Sequence, residues 1–137
     1  VCTTDDSWTD ISGDTSYNEG AIEFIIDGGG GTISTGIQGD IEVSYACTID
    51  SVTLLCDQAG TIKVDIWKDT YANYPPTDAD TITASATPEI ASADTDYQDS
   101  TLTGWTTELS KGDILRFNVD SVATIERCLV SLKVTKT

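Results

Sequence analysis

At 137 residues with 39% hydrophobic content, the chain has the size of one folded domain that can bury a core between two sheets. Its 7 basic residues against 23 acidic ones leave a net charge of −16, which excludes a phosphate-neutralising groove for nucleic acid and attraction to an anionic membrane surface. Histidine is absent, so the commonest general base and the commonest transition-metal ligand are both missing, and the inventory argues against an enzyme.

Residues 1–20 are polar, rich in Asp, Ser and Thr, with Trp8, Ile11 and Tyr17 as isolated anchors. They read as an N-terminal arm that docks on its own domain or adds a strand to an exposed edge of a neighbouring subunit. A plain unattached terminus is the competing reading. Methionine is absent even at position 1, as expected of a processed chain or a fragment. No apolar run reaches the ~18 residues of a membrane span, so no membrane insertion is expected.

The domain proper, residues 21–137, starts with a strand at 21–27 whose Ile22, Phe24 and Ile26 share a face. Gly28 to Gly31 end it as a loop; no G-K-[ST] follows, so a phosphate-cradling role is set aside. Strands at 39–45 and 48–57 follow. Gln58, Ala59 and Gly60 read as the turn of a hairpin into the central strand at 60–70, GTIKVDIWKDT. There Ile62, Val64 and Ile66 alternate with Lys63, Asp65 and Trp67, so Trp67 is expected to project outward.

Residues 71–77, with Pro75 and Pro76, make a surface excursion, because proline cannot donate to a strand ladder. A short strand is expected at 81–86, a helical turn at 88–93 behind Pro88, and an acidic loop at 94–99. A turn at 110–113 leads to a strand at 114–119, with Leu115, Phe117 and Val119 inward. Asp120 and Ser121 turn the chain, and a closing strand fills 125–134. About seven or eight strands without an amphipathic helix predict an all-β fold, a single antiparallel β-sandwich of jelly-roll type with an extended arm.

Cys2, Cys47, Cys56 and Cys128 lack the C-x-x-C spacing of a zinc site. An even, widely spaced set favours disulfides over metal, with small buried hydrophobes in a reduced chain as the other reading. Cys56 shares a face with Val52 and Leu54, and Cys128 with Val130, Leu132 and Val134, so a Cys56–Cys128 link between neighbouring core strands is expected. That leaves Cys2 with Cys47. Asp94, Asp96 and Asp99 have a spacing a calcium ion could use, as do Asp78 and Asp80, but the full calcium-loop pattern is missing. No other cofactor is implied. Trp67, Tyr71, Tyr74, Tyr97 and Trp105 could form a sugar-stacking platform for a cell-surface glycan. Against that, Trp67 could lie under the 71–76 excursion or a second subunit.

The ordered segments IEFIIDGGGGTISTGIQGDIEV, ACTIDSVTLLCDQAGTIKVDIWKDTYANYPPT, TITASATPEI and STLTGWTTELSKGDILRFNVDSVATI carry a likeness. Together they resemble a small β-domain of tailed-bacteriophage and prophage structural proteins, found among tail-fibre, appendage and other virion-associated components. The arm lies outside it, and no catalytic residues come with it. The resemblance implies a non-enzymatic particle component that touches copies of itself and other particle proteins. The cysteines and the missing methionine would also suit a subunit of a secreted filament or pilus. Either reading places the protein outside the cell, on a virion or a secreted surface assembly. A carbohydrate-binding adhesion module is the third expectation.

Overall fold

The structure, a computed structural model, describes residues 18–137. The expectations for Cys2, Trp8, Ile11 and Tyr17 lie outside the described residues. The all-β expectation holds for the described residues, which form one seven-stranded antiparallel sheet that curls on itself. Its strands are β1 (Glu19–Asp27), β2 (Gly36–Glu42), β3 (Cys47–Asp69), β4 (Glu89–Asp99), β5 (Glu108–Leu109), β6 (Ile114–Ala123) and β7 (Arg127–Lys136). The first begins two residues inside the stretch read as an arm.

β3 is the spine, and it corrects the expected hairpin. Gln58 to Gly60 do not turn; β3 runs through them as one 23-residue strand. Its first half pairs with β7, from Cys47 opposite Lys136 to Cys56 opposite Cys128. Its second half pairs with β6, from Thr61 opposite Ala123 to Asp69 opposite Ile114. β4 follows the other side of β3 across both halves. β6 and β7 therefore run end to end along β3, and the corner between them faces Gln58–Gly60.

Gly60 explains why a hairpin-like sequence bends instead. A Cβ there would come within 2.4 Å of the Ala123 carbonyl oxygen and 2.8 Å of Ile125 Cγ1. The glycine admits the close approach of the corner, as strand glycines commonly do. Asp57 fastens the same place, its Oδ1 accepting the Glu126 and Arg127 amides at 3.1 and 3.0 Å.

The alternation read from sequence holds on the inner face. Ile62, Val64 and Ile66, then Leu115, Phe117 and Val119, then Cys128, Val130, Leu132 and Val134 are all buried. The curl brings the two ends of the sheet together inside: Phe24 of β1 stacks on Phe117 of β6, centroids 4.6 Å apart and planes 2° from parallel. Gly39 of β2 leaves room for that Phe24 ring.

Four local readings are corrected. Pro88 opens no helical turn: it precedes β4 and lends its carbonyl to the Val64 amide at 3.0 Å. The acidic 94–99 segment is no loop but the far half of β4, pairing with Val52 to Leu55. Edge strands tolerate such charge because their second side is solvated. Residues 81–86 form no strand beyond a single bridge from Thr81 to Trp67. Asp120 and Ser121 likewise stay within β6, and the turn comes after Ala123, where Thr124 adopts a φ of 76°.

Candidate functional site

The outward face of the second half of the sheet carries the most organised side chains of the described surface. Register sets Asp40 of β2 opposite Arg116 of β6, and Arg116 opposite Trp67 of β3. Arg116 grips Asp40 with two parallel bonds, Nε to Oδ1 at 2.7 Å and Nη2 to Oδ2 at 2.9 Å. Such bidentate pairs are the strong, directional kind. Tyr74, from the proline-bearing excursion, donates its hydroxyl to the same Oδ2 at 2.6 Å and lies under the guanidinium, 5.4 Å from ring centroid to Cζ.

The charges follow from these contacts. The bonds from Arg116 hold the Asp40 carboxyl below its ordinary range; burial opposes this and the Tyr74 hydroxyl reinforces it. The bond to Asp40 raises the Tyr74 phenol. Asp40 is thus an ionised, saturated acceptor and Tyr74 a protonated donor. Neither is poised to move a proton at neutral pH.

For Trp67 the structure decides for the covered alternative over the exposed platform. It is 8% exposed, because the excursion folds back over it. Its Nε1 donates to Asp65 Oδ2 at 2.9 Å, while Asp65 Oδ1 accepts the hydroxyls of Thr81 and Thr83 at 2.6 and 2.7 Å and the Ile66 amide at 2.8 Å. Asp65 is the clamp that fixes the 70–88 segment to β3. Trp105 is also buried, at 9% exposure, its Nε1 bonded to the Ala86 carbonyl at 2.9 Å. Both tryptophans leave the sugar-stacking platform, and Tyr97 is half-buried against the core.

Tyr71, 77% exposed, and Tyr74, 49% exposed, remain outside. They line a groove of about 440 Å³ with Asp40, Glu42, Ile41 and Ile114. Across Tyr74 a second hollow of about 590 Å³ is walled by Trp67, Pro75, Pro76, Asp78, Arg116 and Asp120. The Asp40 carboxylate is saturated by Arg116 and Tyr74, and the exposed Tyr71 ring stands beside it on the groove rim.

The chain matches no protein-family model and no curated protein. What can be said of its role therefore rests on its own surfaces.

One such surface lies on the outward face of the first half. Ile25 of β1, Leu129 of β7 and Leu55 of β3 stand in a row, since Leu129 is opposite both of the others. Ile25 is 60% and Leu55 49% exposed, with Leu129 half-buried between them. The signal was in the sequence: each is an apolar residue out of phase with an inward-facing alternation. Asp40, Arg116 and Asp65 carried no comparable signal, because most of their partners come from other elements of the chain.

Cys56 and Cys128 meet directly across β3 and β7, both as thiols, while Cys47 is buried at the start of β3. Asp94, Asp96 and Asp99 are spread along β4, and Asp80 caps the turn at Thr77, its Oδ2 accepting the Thr77 amide at 2.8 Å. Among the described residues no three metal-ligating side chains come together.

Proposed function

We propose that this chain is a non-enzymatic structural subunit of an extracellular particle, a virion component of tail, fibre or capsid-decoration type that assembles with copies of itself. The curled sheet would act as a closed sandwich of jelly-roll type, and the N-terminal arm would reach a neighbour. The observation that carries the reading is the Ile25–Leu129–Leu55 row. Contiguous exposed aliphatics on an otherwise strongly acidic protein are the usual mark of a surface that a partner covers. The order of sequence segments described above favours a virion over a secreted filament or pilus joined by strand or arm exchange.

The charge adds a condition. Copies carrying −16 each repel one another, so self-association should strengthen as salt screens that repulsion. Sedimentation equilibrium of the full chain across salt concentrations tests this. Oligomers that grow with salt, and that vanish when Ile25→Asp and Leu55→Asp are combined, are the expected result. A wild-type chain that stays monomeric at high concentration and high salt overturns the proposal.

A carbohydrate-binding adhesion module is the second reading, favoured by the exposed Tyr71 and Tyr74 above a groove edged by Asp40 and Glu42. It expects glycan binding that Tyr71→Ala removes, and silence across a broad glycan array rejects it.

A further inference from the structure

The corner at which β3 passes from β7 to β6 carries a feature that assembly does not use. Cys56 and Cys128 are direct partners there, the last pair before the strands part. Facing residues of an antiparallel pair have Cα atoms about 4.5–5.5 Å apart, inside the ~4.4–6.8 Å that a disulfide spans. Asp57 pins the backbone beside both cysteines through the Glu126 and Arg127 amides. Forming a bond would need no large movement of either strand.

The two thiols are not equivalent. Cys128 is fully buried behind Ile26 and Cys56. Cys56 is only half-buried, so it is the more accessible of the two. Cys47 can reach neither, since nine strand residues put it about 30 Å from Cys56.

We propose that Cys56 and Cys128 form an exchangeable thiol–disulfide pair, with Cys56 the thiol that meets small disulfides and Cys128 the one that resolves the adduct. The Cys56 thiolate attacks one sulfur of a disulfide R–S–S–R, giving Cys56–S–S–R and one RS⁻. Cys128 then gives up its proton and attacks the Cys56 sulfur, expelling the second RS⁻. Two protein thiols are oxidised to one disulfide, one small disulfide is reduced to two thiols, and the two protein protons end on those thiols.

Hydrogen bonding from Cys128 draws the Cys56 thiol below its usual range, against burial and the charges of Asp57 and Asp96. The same contact, with burial, pushes Cys128 far up. The Cys128 S–H has only a long 3.7 Å alternative at the Leu129 carbonyl, so its proton is free to serve the neighbouring sulfur. A half-buried lower-pKa thiol beside a fully buried higher-pKa one is the division of labour that exchange needs. Closing the bond would lock β7 to β3 where the sheet curls.

The test starts from full chain reduced with dithiothreitol and freed of it, then incubated with oxidised glutathione under native conditions. Samples are quenched with N-ethylmaleimide and mapped by peptide mass. The expected outcome is a Cys56–Cys128 bond that dithiothreitol reopens, with a higher urea midpoint for the oxidised form. Cys128→Ser should instead accumulate glutathione on Cys56, and Cys56→Ser should leave Cys128 unmodified. Should either variant fail to fold, the wild-type map decides alone. Cys56 that stays alkylatable, that keeps a stable glutathione adduct, or that links to Cys2 or Cys47 overturns the proposal.

Discussion

The two halves of β3 present opposite outer faces. Beyond Gly60 the outward side chains Asp65 and Trp67 are roofed by the 70–88 segment and tied into its threonines. Before Asp57 the outward Leu55 stands bare in line with Ile25 and Leu129. The same alternation produced both faces; the difference is a downstream excursion long enough to fold back over one and absent from the other. An outward position in a strand therefore tells which side a residue is on, and not whether the chain will cover that side itself. Where it does not, aliphatic side chains are left for another molecule.

Removing what fills the covered half should be the most costly change. Trp67→Ala would empty the space under Pro76 and release the second oxygen of Asp65, a loss of about 3–5 kcal/mol expected for a large buried aromatic. Urea unfolding measures it, and a loss under about 1 kcal/mol would mean that the excursion does not rest on Trp67. Next comes Asp65→Ala. It leaves the Trp67 indole without its acceptor and the Thr83 hydroxyl with only the neighbouring Thr81 and Thr87 hydroxyls, for about 2–3 kcal/mol. Thr83 is fully buried, so water cannot replace the lost partner.

The rim of the covered half should show its dependence on pH. Asp40 is held below the ordinary carboxyl range by Arg116. A carboxyl with a depressed folded-state value contributes stability that is fully present above its unfolded value, ~3.9. That contribution is lost as pH falls through the lower folded value. Asp40→Asn abolishes this part, so the stability gap between wild type and variant, about 2 kcal/mol at neutral pH for a charge-assisted pair, should narrow on acidification. Thermal melts of both proteins from ~pH 6 down to ~pH 2 read this directly. A constant gap would mean that the ion pair is not what Asp40 supplies.

What the sequence disclosed, and what it withheld, follows the range over which the deciding contacts act. Inner faces were legible because period-two alternation is local: Val64, Phe117 and Leu132 sit where their neighbours put them. Cys56 and Cys128 were placed on neighbouring inner faces by the same rule, and the register set them opposite each other. The hairpin at Gln58–Gly60 was misread because a glycine between two strand patterns signals equally a turn and a close approach. Only Ala123 and Ile125, more than sixty residues on, decide between them. Trp67 lies under its excursion, the reading set against the sugar platform, and Trp105 is covered from the same 70–88 segment. The acidic run at 94–99 looked like a loop because charge hides strand character; its ladder is supplied by β3. The Asp40–Arg116–Tyr74 cluster joins three separate elements and left no trace in any one of them.

The uncovered half gives the smallest effect on stability and the clearest discrimination. Leu55 is half exposed, so Leu55→Ser in the isolated chain should cost under about 1 kcal/mol. If the row of Ile25, Leu129 and Leu55 is a covered surface in the assembled protein, the same substitution should weaken association well beyond that, because a serine there would be buried against apolar neighbours without a partner. Unfolding at low protein concentration measures the first quantity and sedimentation at high concentration the second. Equal small changes in both would make Leu55 an ordinary exposed leucine, and the contrast between the halves would then reflect only where the excursion happens to fold. A chain that unfolds as before but no longer associates separates the two faces by function as well as by cover.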